Sequence, residues 1–456
     1  MRWFRRRRDP PERPQPPELP AESESTREGE TWVLASDMPI RDPGEDRLER
    51  ADFARAVAAT VRSAPRGAGF AIGVTGVWGS GKSSVINLAL DDLRRTGGTE
   101  LLEFNPWLFS GTEQLVEHFF DELSAQFAES RDRRVRRAAG LLRGYGHVVA
   151  PLRLVPGVST VAKESAEISR ELADTIEPKR QSVRQQREKL RRRLGELDKR
   201  LVVVVDDLDR LRGDEVADVM RLIRLVGDFP NLVYLLAFDR RRVEVALTTS
   251  GAEGGRAFLE KIVQVIHDVP PIRGPLLTDL LVEAIFERVG DVSRYRFDEG
   301  YFTNLLYGGM SDLFRTLRDI NRYVNVVPAA LEMVGREIQL ADLLALEAAR
   351  VFAPDAFTEM LAHPDAMTGA LAGDAGAAFE RVVAAAHPHE DAVGLLFSQL
   401  FPSAARPGHD VQYGSQSLTR WQEERRVAHP DVLDAYVRRR LRQGGERYGF
   451  ARHGAR

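Results

Sequence analysis

The sequence predicts an α/β fold, in which helices flank a parallel sheet, followed by an all-helical carboxyl-terminal region. Short apolar runs alternate with stretches that carry apolar residues at helical spacing, as in doubly wound α/β proteins. A glycine-rich loop separates one apolar run from the helix after it. Beyond about residue 276 the helical spacing continues to the last residue.

Four apolar runs are predicted to be strands of one sheet: residues 70–75, 101–104, 201–205 and 231–238. The run at 201–205 is Leu-Val-Val-Val-Val, a β-branched pattern that parallel sheets bury on both faces. Helices are predicted over 46–61, before the first strand, and over 84–93, after the glycine-rich loop.

Composition excludes several kinds of site. The chain has 456 residues, no cysteine and a formal net charge of -3. Disulfides, thiolate zinc sites and iron–sulfur clusters are therefore excluded, and the overall charge gives no attraction to nucleic acid. Of the 65 basic residues only six are lysine, which with abundant Ala, Gly and Arg is typical of a GC-rich bacterial genome.

The chain is predicted to have four parts. Residues 1–30 are expected to be a disordered, basic and Pro-rich tail, because this composition buries too little apolar surface to order itself. An α/β core follows over 31–275 and contains a charged helical insertion at about 111–199. Two helical regions, 276–350 and 351–456, complete the chain.

The insertion raises two alternatives to a plain globular segment. Its most apolar stretch, 141–162, is interrupted by basic residues and prolines, so contact with a membrane is expected to be peripheral at most. The basic runs at 131–137 and 179–200 lack interleaved aromatic residues, so solvated helix faces are favoured over nucleic-acid contact. No apolar signal core follows the basic start, which predicts a cytoplasmic protein, at most peripheral to the inner face of the membrane.

The glycine-rich loop carries the strongest functional signal. Residues 76–83 read Gly-Val-Trp-Gly-Ser-Gly-Lys-Ser and match G-x-x-x-x-G-K-[ST], the phosphate-binding P-loop. Its glycines let backbone N–H groups face phosphate, and the dipole of the next helix favours negative charge. Lys82 is expected to reach the β- and γ-phosphates and Ser83 to ligate Mg²⁺. The predicted nucleotide-binding residues are Gly76, Trp78, Gly79, Ser80, Gly81, Lys82, Ser83 and Ser84.

A second acidic motif follows the run 201–205, as in a Walker B strand. The residues are Asp206, Asp207, Leu208, Asp209 and Arg210. Asp206 is expected to hold Mg²⁺ and Asp207 to act as general base toward the attacking water, with Asp209 in support. Acids also end strands as simple caps, but the P-loop upstream makes the catalytic interpretation the stronger one.

Adenine is the predicted base, because the guanine-specificity pattern N-K-x-D is absent downstream. Asp239, after the last predicted strand, is either a sensor of the γ-phosphate or a cap for the next helix. Arg240 and Arg256 are candidates for an arginine finger, with a solvated or ion-paired arginine as the alternative.

Several segments, in order, resemble the KAP family of P-loop NTPases. They are Asp-Met-Pro-Ile at 37–40, the P-loop, Phe-Asn-Pro-Trp at 104–107, Asp-Asp-Leu-Asp-Arg at 206–210, Phe-Leu-Glu-Lys-Ile-Val-Gln at 258–264 and Leu-Arg-Asp-Ile-Asn-Arg at 317–322. The resemblance covers about residues 36–440. The Asp-Asp-Leu-Asp-Arg and Asn-Pro-Trp motifs together are far more specific than the P-loop alone.

The resemblance implies an ASCE-type ATPase core, related to the AAA+ and STAND groups, with a helical lid that makes up 276–350. It places Arg318 in that lid as a catalytic residue that contacts phosphate, although Leu317 and Asn321 stand where the family usually has Pro and Lys. The family includes a neuronal membrane scaffold and bacterial proteins linked to phage exclusion, so a role in defence or signalling is implied by analogy.

The predicted function is that of an Mg²⁺-dependent ATPase, a molecular switch or assembly motor, with ATP and Mg²⁺ as cofactors. The predicted catalytic residues are Lys82, Asp207 and Arg318, and self-association or a protein partner is expected. The alternative is a non-hydrolysing, nucleotide-gated scaffold at a membrane surface, which steady phosphate release would exclude. A small-molecule kinase is disfavoured by the long helical region after the core.

Overall fold

The computed structural model describes residues 34–109, 115–149, 184–226, 229–249, 254–369, 375–405 and 415–444. The predicted tail, 1–30, and part of the predicted insertion, 150–183, lie outside these ranges. The described residues form a five-stranded parallel sheet with helices on both faces, and then a helical region, so the predicted fold class is confirmed.

The sheet has the strand order β2-β3-β4-β1-β5, and every neighbouring pair is parallel. Its strands are β1 (Phe70–Thr75), β2 (Thr99–Phe104), β3 (Arg200–Val205), β4 (Leu232–Phe238) and β5 (Val265–Asp268). The first four are the predicted strands. The short edge strand β5 is not predicted by periodicity, because its four residues end in the polar pair His267 and Asp268.

Strand order decides which loops meet. The carboxyl ends of parallel strands lie at one edge of a sheet, and β4 lies between β1 and β3. The P-loop after β1 and the acids after β3 therefore stand at the same edge with one strand between them.

Helices cover both faces of the sheet. The helices α1 (Ala51–Ser63) and α2 (Lys82–Thr96) pack on one face. The other face carries α3 (Leu115–Glu129), α4 (Arg133–Val149), α5 (184–195), α6 (Gly213–Val226), α7 (Arg240–Thr249) and α8 (Gly255–Glu260). In β3, Val202 faces the first set while Leu201 and Val203 face the second, the alternation expected of a strand buried on both faces.

The first helix starts at Ala51, later than the predicted 46. Asp46 precedes it, and the carboxylate of Asp46 accepts a hydrogen bond of 2.8 Å from the backbone N–H of Ala51. Apolar spacing alone extends the prediction too far, because it does not register this local polar contact.

The described part of the predicted insertion shares the core of the sheet. Phe120 of α3 and Tyr145 of α4 make a T-shaped contact within it. In the basic run 131–137, Val135 is buried and the arginines are exposed, which agrees with a solvated helix face. Among the helices of the described ranges, none has both the length and the apolar character needed to cross a bilayer.

Beyond β5 the described residues are helical. The helices are α9 (Gly274–Val289), α10 (Glu299–Leu305), α11 (Leu317–Val324), α12 (Val327–Val334), α13 (Leu340–Phe352), α14 (Pro354–Ala362), α15 (Pro364–Met367), α16 (Ala375–Ala384), α17 (Glu390–Leu400), α18 (Ser415–Glu423) and α19 (Pro430–Gly444). Leu281, Tyr323, Phe397 and Tyr436 belong to one hydrophobic core, so the predicted lid and the region after it pack as a single body.

A buried ion pair ties this helical body together. The carboxylate of Asp342 is fully buried, and Arg426 Nε donates to it at 3.0 Å. The backbone N–H of Val427 and the hydroxyl of Tyr301 also donate to it, at 2.8 and 2.6 Å. Burial raises the pKa of Asp342, and these donors oppose that shift. The network joins α10, α13 and the segment before α19.

Asp342→Ala is expected to lower the free energy of unfolding by about 3–5 kcal/mol, because it leaves the Arg426 guanidinium buried without its carboxylate. Urea denaturation measures the change. Asp355→Ala, which removes an exposed acid from the first turn of α14, is the matched control and should cost at most about 1 kcal/mol. Equal losses in the two variants would contradict a stabilising role for the pair.

Candidate nucleotide-binding site

The P-loop joins the end of β1 to the first turn of α2. Gly79 and Gly81 have φ of 83° and 89°, a left-handed region that favours glycine. Gly76 has an additional constraint, since a Cβ there would lie 2.4 Å from the hydroxyl oxygen of Ser80. The loop therefore presents backbone N–H groups and a helix N-terminus at the sheet edge, an arrangement suited to phosphate.

Lys82 is buried and turned back onto the loop. Its Nζ donates to the carbonyl oxygens of Gly76 and Val77 at 3.0 and 3.3 Å. The third partner is the carboxylate of Asp209, at 3.5 Å and only 1% exposed. The sequence predicts only a supporting role for Asp209, but in the structure its carboxylate balances the charge of Lys82. A bound triphosphate would compete with Asp209 for Nζ.

Asp206 and Asp207 form the turn at the end of β3. Asp207 has a left-handed backbone with φ of 59°, rare for a residue with a side chain. Its N–H donates to Asp206 Oδ1 at 2.7 Å, and Arg210 Nε lies 2.8 Å from Asp207 Oδ1. Burial and the nearby charge of Asp206 raise the pKa of Asp207, and Arg210 opposes this. A carboxylate with a raised pKa is the better proton acceptor.

Three arginines surround the indole of Trp78. The guanidinium carbons of Arg210, Arg242 and Arg318 lie 5.1, 5.4 and 5.4 Å from the ring centroid. Arg210 also lies 5.8 Å from the ring of Trp107, in the Asn-Pro-Trp turn after β2. The sequence alone indicates no role for Arg210 or Arg242. The signal that points to Arg210 is its position directly after Asp209 in the Asp-Asp-Leu-Asp-Arg motif.

The arginine-finger candidates are ion-paired. Arg256 pairs with Glu260 at 3.0 Å, and Arg240 pairs with Glu244 and Glu260 at 2.9 and 3.7 Å. The ion-paired alternative therefore describes both. Asp239 accepts a hydrogen bond from the N–H of Arg242 at 3.2 Å, which agrees with the cap alternative at the start of α7.

The first turn of α11 packs against the P-loop. A Cβ on Gly79 would lie 3.1 Å from the hydroxyl of Thr316, which caps α11 together with Asp319. Arg318 follows, 3.5 Å from the carboxylate of Asp37. The side-chain amide of Asn321 donates to the carbonyl oxygen of Ser36 at 3.1 Å. This helix therefore contacts both the P-loop and the segment before α1.

That segment, 35–40, also contacts α2. The N–H of Ile40 donates to the hydroxyl of Ser84 at 3.3 Å, and the amide of Asn87 donates to the carbonyl oxygen of Ile40 at 2.9 Å. At its other end, Asn325, the residue that follows α11, exchanges two hydrogen bonds with the backbone of Ala35, at 2.7 and 3.0 Å. Segment 35–40 thus bridges the P-loop helix and the helical body.

A cavity of about 530 Å³ lies between these elements, a volume within the range of small-molecule sites. It is lined by the loop, by the acids after β3, by Arg318 and by residues from 36–50. Of the predicted site residues it collects Trp78, Gly79, Ser80, Gly81, Lys82, Ser83, Ser84, Asp206, Asp207 and Arg318. Gly76 is not in the lining and contributes the carbonyl that accepts from Lys82.

The predicted Mg²⁺ ligands suit that ion chemically. Ser83 and Asp206 both line the cavity and offer hydroxyl and carboxylate oxygens, the ligands that Mg²⁺ prefers. Mg²⁺ in nucleotide sites takes one or two protein ligands and completes its shell with waters and phosphates. No group of three or more His, Cys, Asp or Glu in the described ranges is placed to hold a metal by itself.

Comparison with solved structures returns chains of low similarity. The Aeropyrum pernix ORC2 protein, in ADPNP–ADP complexes, is 14% identical with a TM-score of 0.33, covering 91% of this chain and 98% of that one. Cdc6p from Pyrobaculum aerophilum is 12% identical with a TM-score of 0.38, covering 90% and 97%. Superpositions this loose support no inference about the site.

Comparison of the sequence with known proteins is more informative than comparison of the structure. The "Phage T7 exclusion protein" of Escherichia coli (strain K12) is 26% identical over 348 residues, which is 70% of this chain and 46% of that protein. The chain thus spans about half the length of this relative. Residues 50–333 match the KAP family P-loop domain, and this range contains the P-loop, both acids and Arg318. The chain belongs to the KAP family of P-loop NTPases.

Proposed function

We propose that this protein binds ATP with Mg²⁺ and hydrolyses it. The proposal rests on one observation, that the P-loop with its Lys82, the acids Asp206 and Asp207, and Arg318 line the same cavity. The loop and Lys82 offer positive charge to the phosphates, and the carboxylates stand where a metal and a water would be held.

Each residue has a distinct task in this proposal. Loop N–H groups and Lys82 bind the β- and γ-phosphates. Ser83 and Asp206 hold Mg²⁺, which when bound neutralises developing phosphate charge. Asp207 accepts a proton from water as the water attacks the γ-phosphorus, and Arg318 stabilises the negative charge of the transition state. The absence of an N-K-x-D pattern supports adenine as the base.

Contacts around the cavity support a switch. Helix α11 and segment 35–40 both line the cavity. Helix α11 is part of the helical body, and segment 35–40 is hydrogen-bonded to it through Asn321 and Asn325. A nucleotide that contacts Arg318 would compete with the 3.5 Å ion pair between Arg318 and Asp37. A bound nucleotide would then shift the position of the helical body, and this shift would change self-association or the binding of a protein partner.

Phosphate release by the purified protein tests the proposal. With ATP and Mg²⁺ we expect steady release, and chelation of Mg²⁺ should reduce it to background, because the phosphate charge is then unbalanced. Re-addition of Mg²⁺ is the control for irreversible damage. ATP binding without release under any condition, including added DNA, RNA or liposomes, would favour the non-hydrolysing scaffold.

We extend the proposal to bacterial defence. Its support is the relative named for exclusion of phage T7. Plaque formation by phage T7 on cells that express this chain, compared with cells that express its Lys82→Ala variant, tests the extension. Equal plating on both and on cells without the protein would contradict a defence role against this phage.

A further inference from the structure

Three loops at the sheet edge converge on one side chain that the proposed mechanism leaves unused. Arg210 follows β3, and its guanidinium carbon lies 5.1 Å from the ring centroid of Trp78, in the loop after β1. It lies 5.8 Å from the ring of Trp107, in the turn after β2. Two indoles from two different loops thus hold one guanidinium by cation–π contact.

The same side chain contacts the proposed base. Arg210 Nε lies 2.8 Å from Oδ1 of Asp207. Within the described ranges, no group donates a hydrogen bond to Oδ2 of Asp207. The carboxylate is therefore fixed through one oxygen and free to accept a hydrogen bond through the other. The left-handed backbone of Asp207, with φ of 59°, is set by the turn, so Arg210 is the contact that fixes the side-chain torsion.

We propose that Arg210 is a positioning residue for hydrolysis: clamped between Trp78 and Trp107, it orients Asp207 so that the free carboxylate oxygen faces the attacking water. The inference rests on the proposed ATPase function. In the step it serves, the water oxygen bonds to the γ-phosphorus as the bond from that phosphorus to the β,γ-bridging oxygen breaks. Asp207 takes the water proton and later releases it to solvent, and ADP and phosphate leave.

Contacts distinguish Arg210 from the other arginines at Trp78. Arg242 and Arg318 lie at similar distances from the indole, but in the described part of the chain neither is paired with Asp207. Arg318 is paired with Asp37. Only Arg210 therefore connects the P-loop tryptophan with the proposed base, so its loss should affect the chemical step more than nucleotide binding.

The test is steady-state kinetics of Arg210→Gln in the full chain. We expect kcat to fall about 10- to 100-fold, because a mispositioned base loses part of the roughly 10²- to 10⁴-fold effect of general-base catalysis. KM and the Kd for a non-hydrolysable ATP analogue should change by less than about 3-fold. Arg210→Lys keeps the charge without the planar guanidinium and should give an intermediate kcat. Arg221→Gln, which breaks an ion pair with Asp218 of the same spacing in α6, is the matched control and should match wild type.

A double variant separates positioning from other roles. If Arg210 acts through Asp207, then Asp207→Asn with Arg210→Gln should have a kcat within about 2-fold of Asp207→Asn alone. The inference would be overturned if the losses in kcat of the two single variants multiply in the double variant. It would also be overturned if Arg210→Gln leaves kcat unchanged, or if it weakens binding of the ATP analogue as much as it lowers kcat. In those cases wild-type hydrolysis still stands. Absence of hydrolysis in wild type would instead refute the proposed function, and this inference with it.

Discussion

Replacing Lys82 by alanine is expected to remove ATP hydrolysis and most ATP binding. Lys82 is the only lysine of the P-loop, and its Nζ lies within 3.5 Å of two loop carbonyl oxygens and of Asp209. A phosphate in the loop would take the place of these partners. Loss of one charged donor to a reacting phosphate typically costs at least about 100-fold in rate. Phosphate release and titration calorimetry with ATP measure the two effects.

Lys189→Ala is the control for the loss of a lysine, because Lys189 is exposed on α5. It should behave as wild type in both measurements. Lys82→Ala should also remain folded, since the carbonyl partners of Nζ belong to the loop itself and Asp209 can be reached by water when the lysine is gone. Hydrolysis at the wild-type rate in Lys82→Ala would contradict the assignment of the site, and so would equal losses in the two variants.

The sheet could be predicted because its strands carry their own signal. Runs such as 201–205 and 232–238 are apolar throughout, and burial on both faces of a parallel sheet requires that pattern. The P-loop could be predicted because left-handed backbone at Gly79 and Gly81 restricts the residue type. In both cases a local physical requirement fixes the residue at its position.

Contacts between distant segments could not be predicted in this way. The pairing of Lys82 with Asp209 depends on strand order, which places β4 between β1 and β3. The bridge from Ala35 to Asn325 joins residues 290 positions apart. Neither leaves a periodic trace in the sequence. The cluster of Arg210, Trp78 and Trp107 is similar, because each residue stands in a separate motif and only the fold brings them together.

The division of the helical region shows a different limit. The predicted boundary at residue 350 falls within α13, which spans Leu340–Phe352. Asp342 of this helix pairs with Arg426, and core residues from both sides of the boundary are in one cluster. Helical periodicity indicates where helices lie, but which helices share a core depends on long-range packing. A lid that includes the whole helical body is the division that the packing supports.

Asp207→Asn is expected to leave ATP bound but to lower kcat about 10²- to 10⁴-fold, because asparagine cannot accept the water proton. The amide has nearly the same shape as the carboxylate, so the turn and the loop contacts should persist. The structure adds a second expectation about stability. Burial and Asp206 raise the pKa of Asp207, which means that the fold disfavours its charged form. The neutral asparagine removes this destabilisation at pH values above the usual pKa of an aspartate.

The variant should therefore unfold at the same temperature as wild type or a higher one near pH 7, while turnover is lost. Single-turnover hydrolysis, titration calorimetry and thermal unfolding measure the three quantities. Asp218→Asn, which weakens the ion pair with Arg221 on α6, is the control and should hydrolyse ATP normally. Loss of ATP binding together with lower stability would show that Asp207 holds the turn together. If the variant binds ATP and is as stable as wild type but does not turn over, the charge of Asp207 is needed for the reaction although it lowers the stability of the fold.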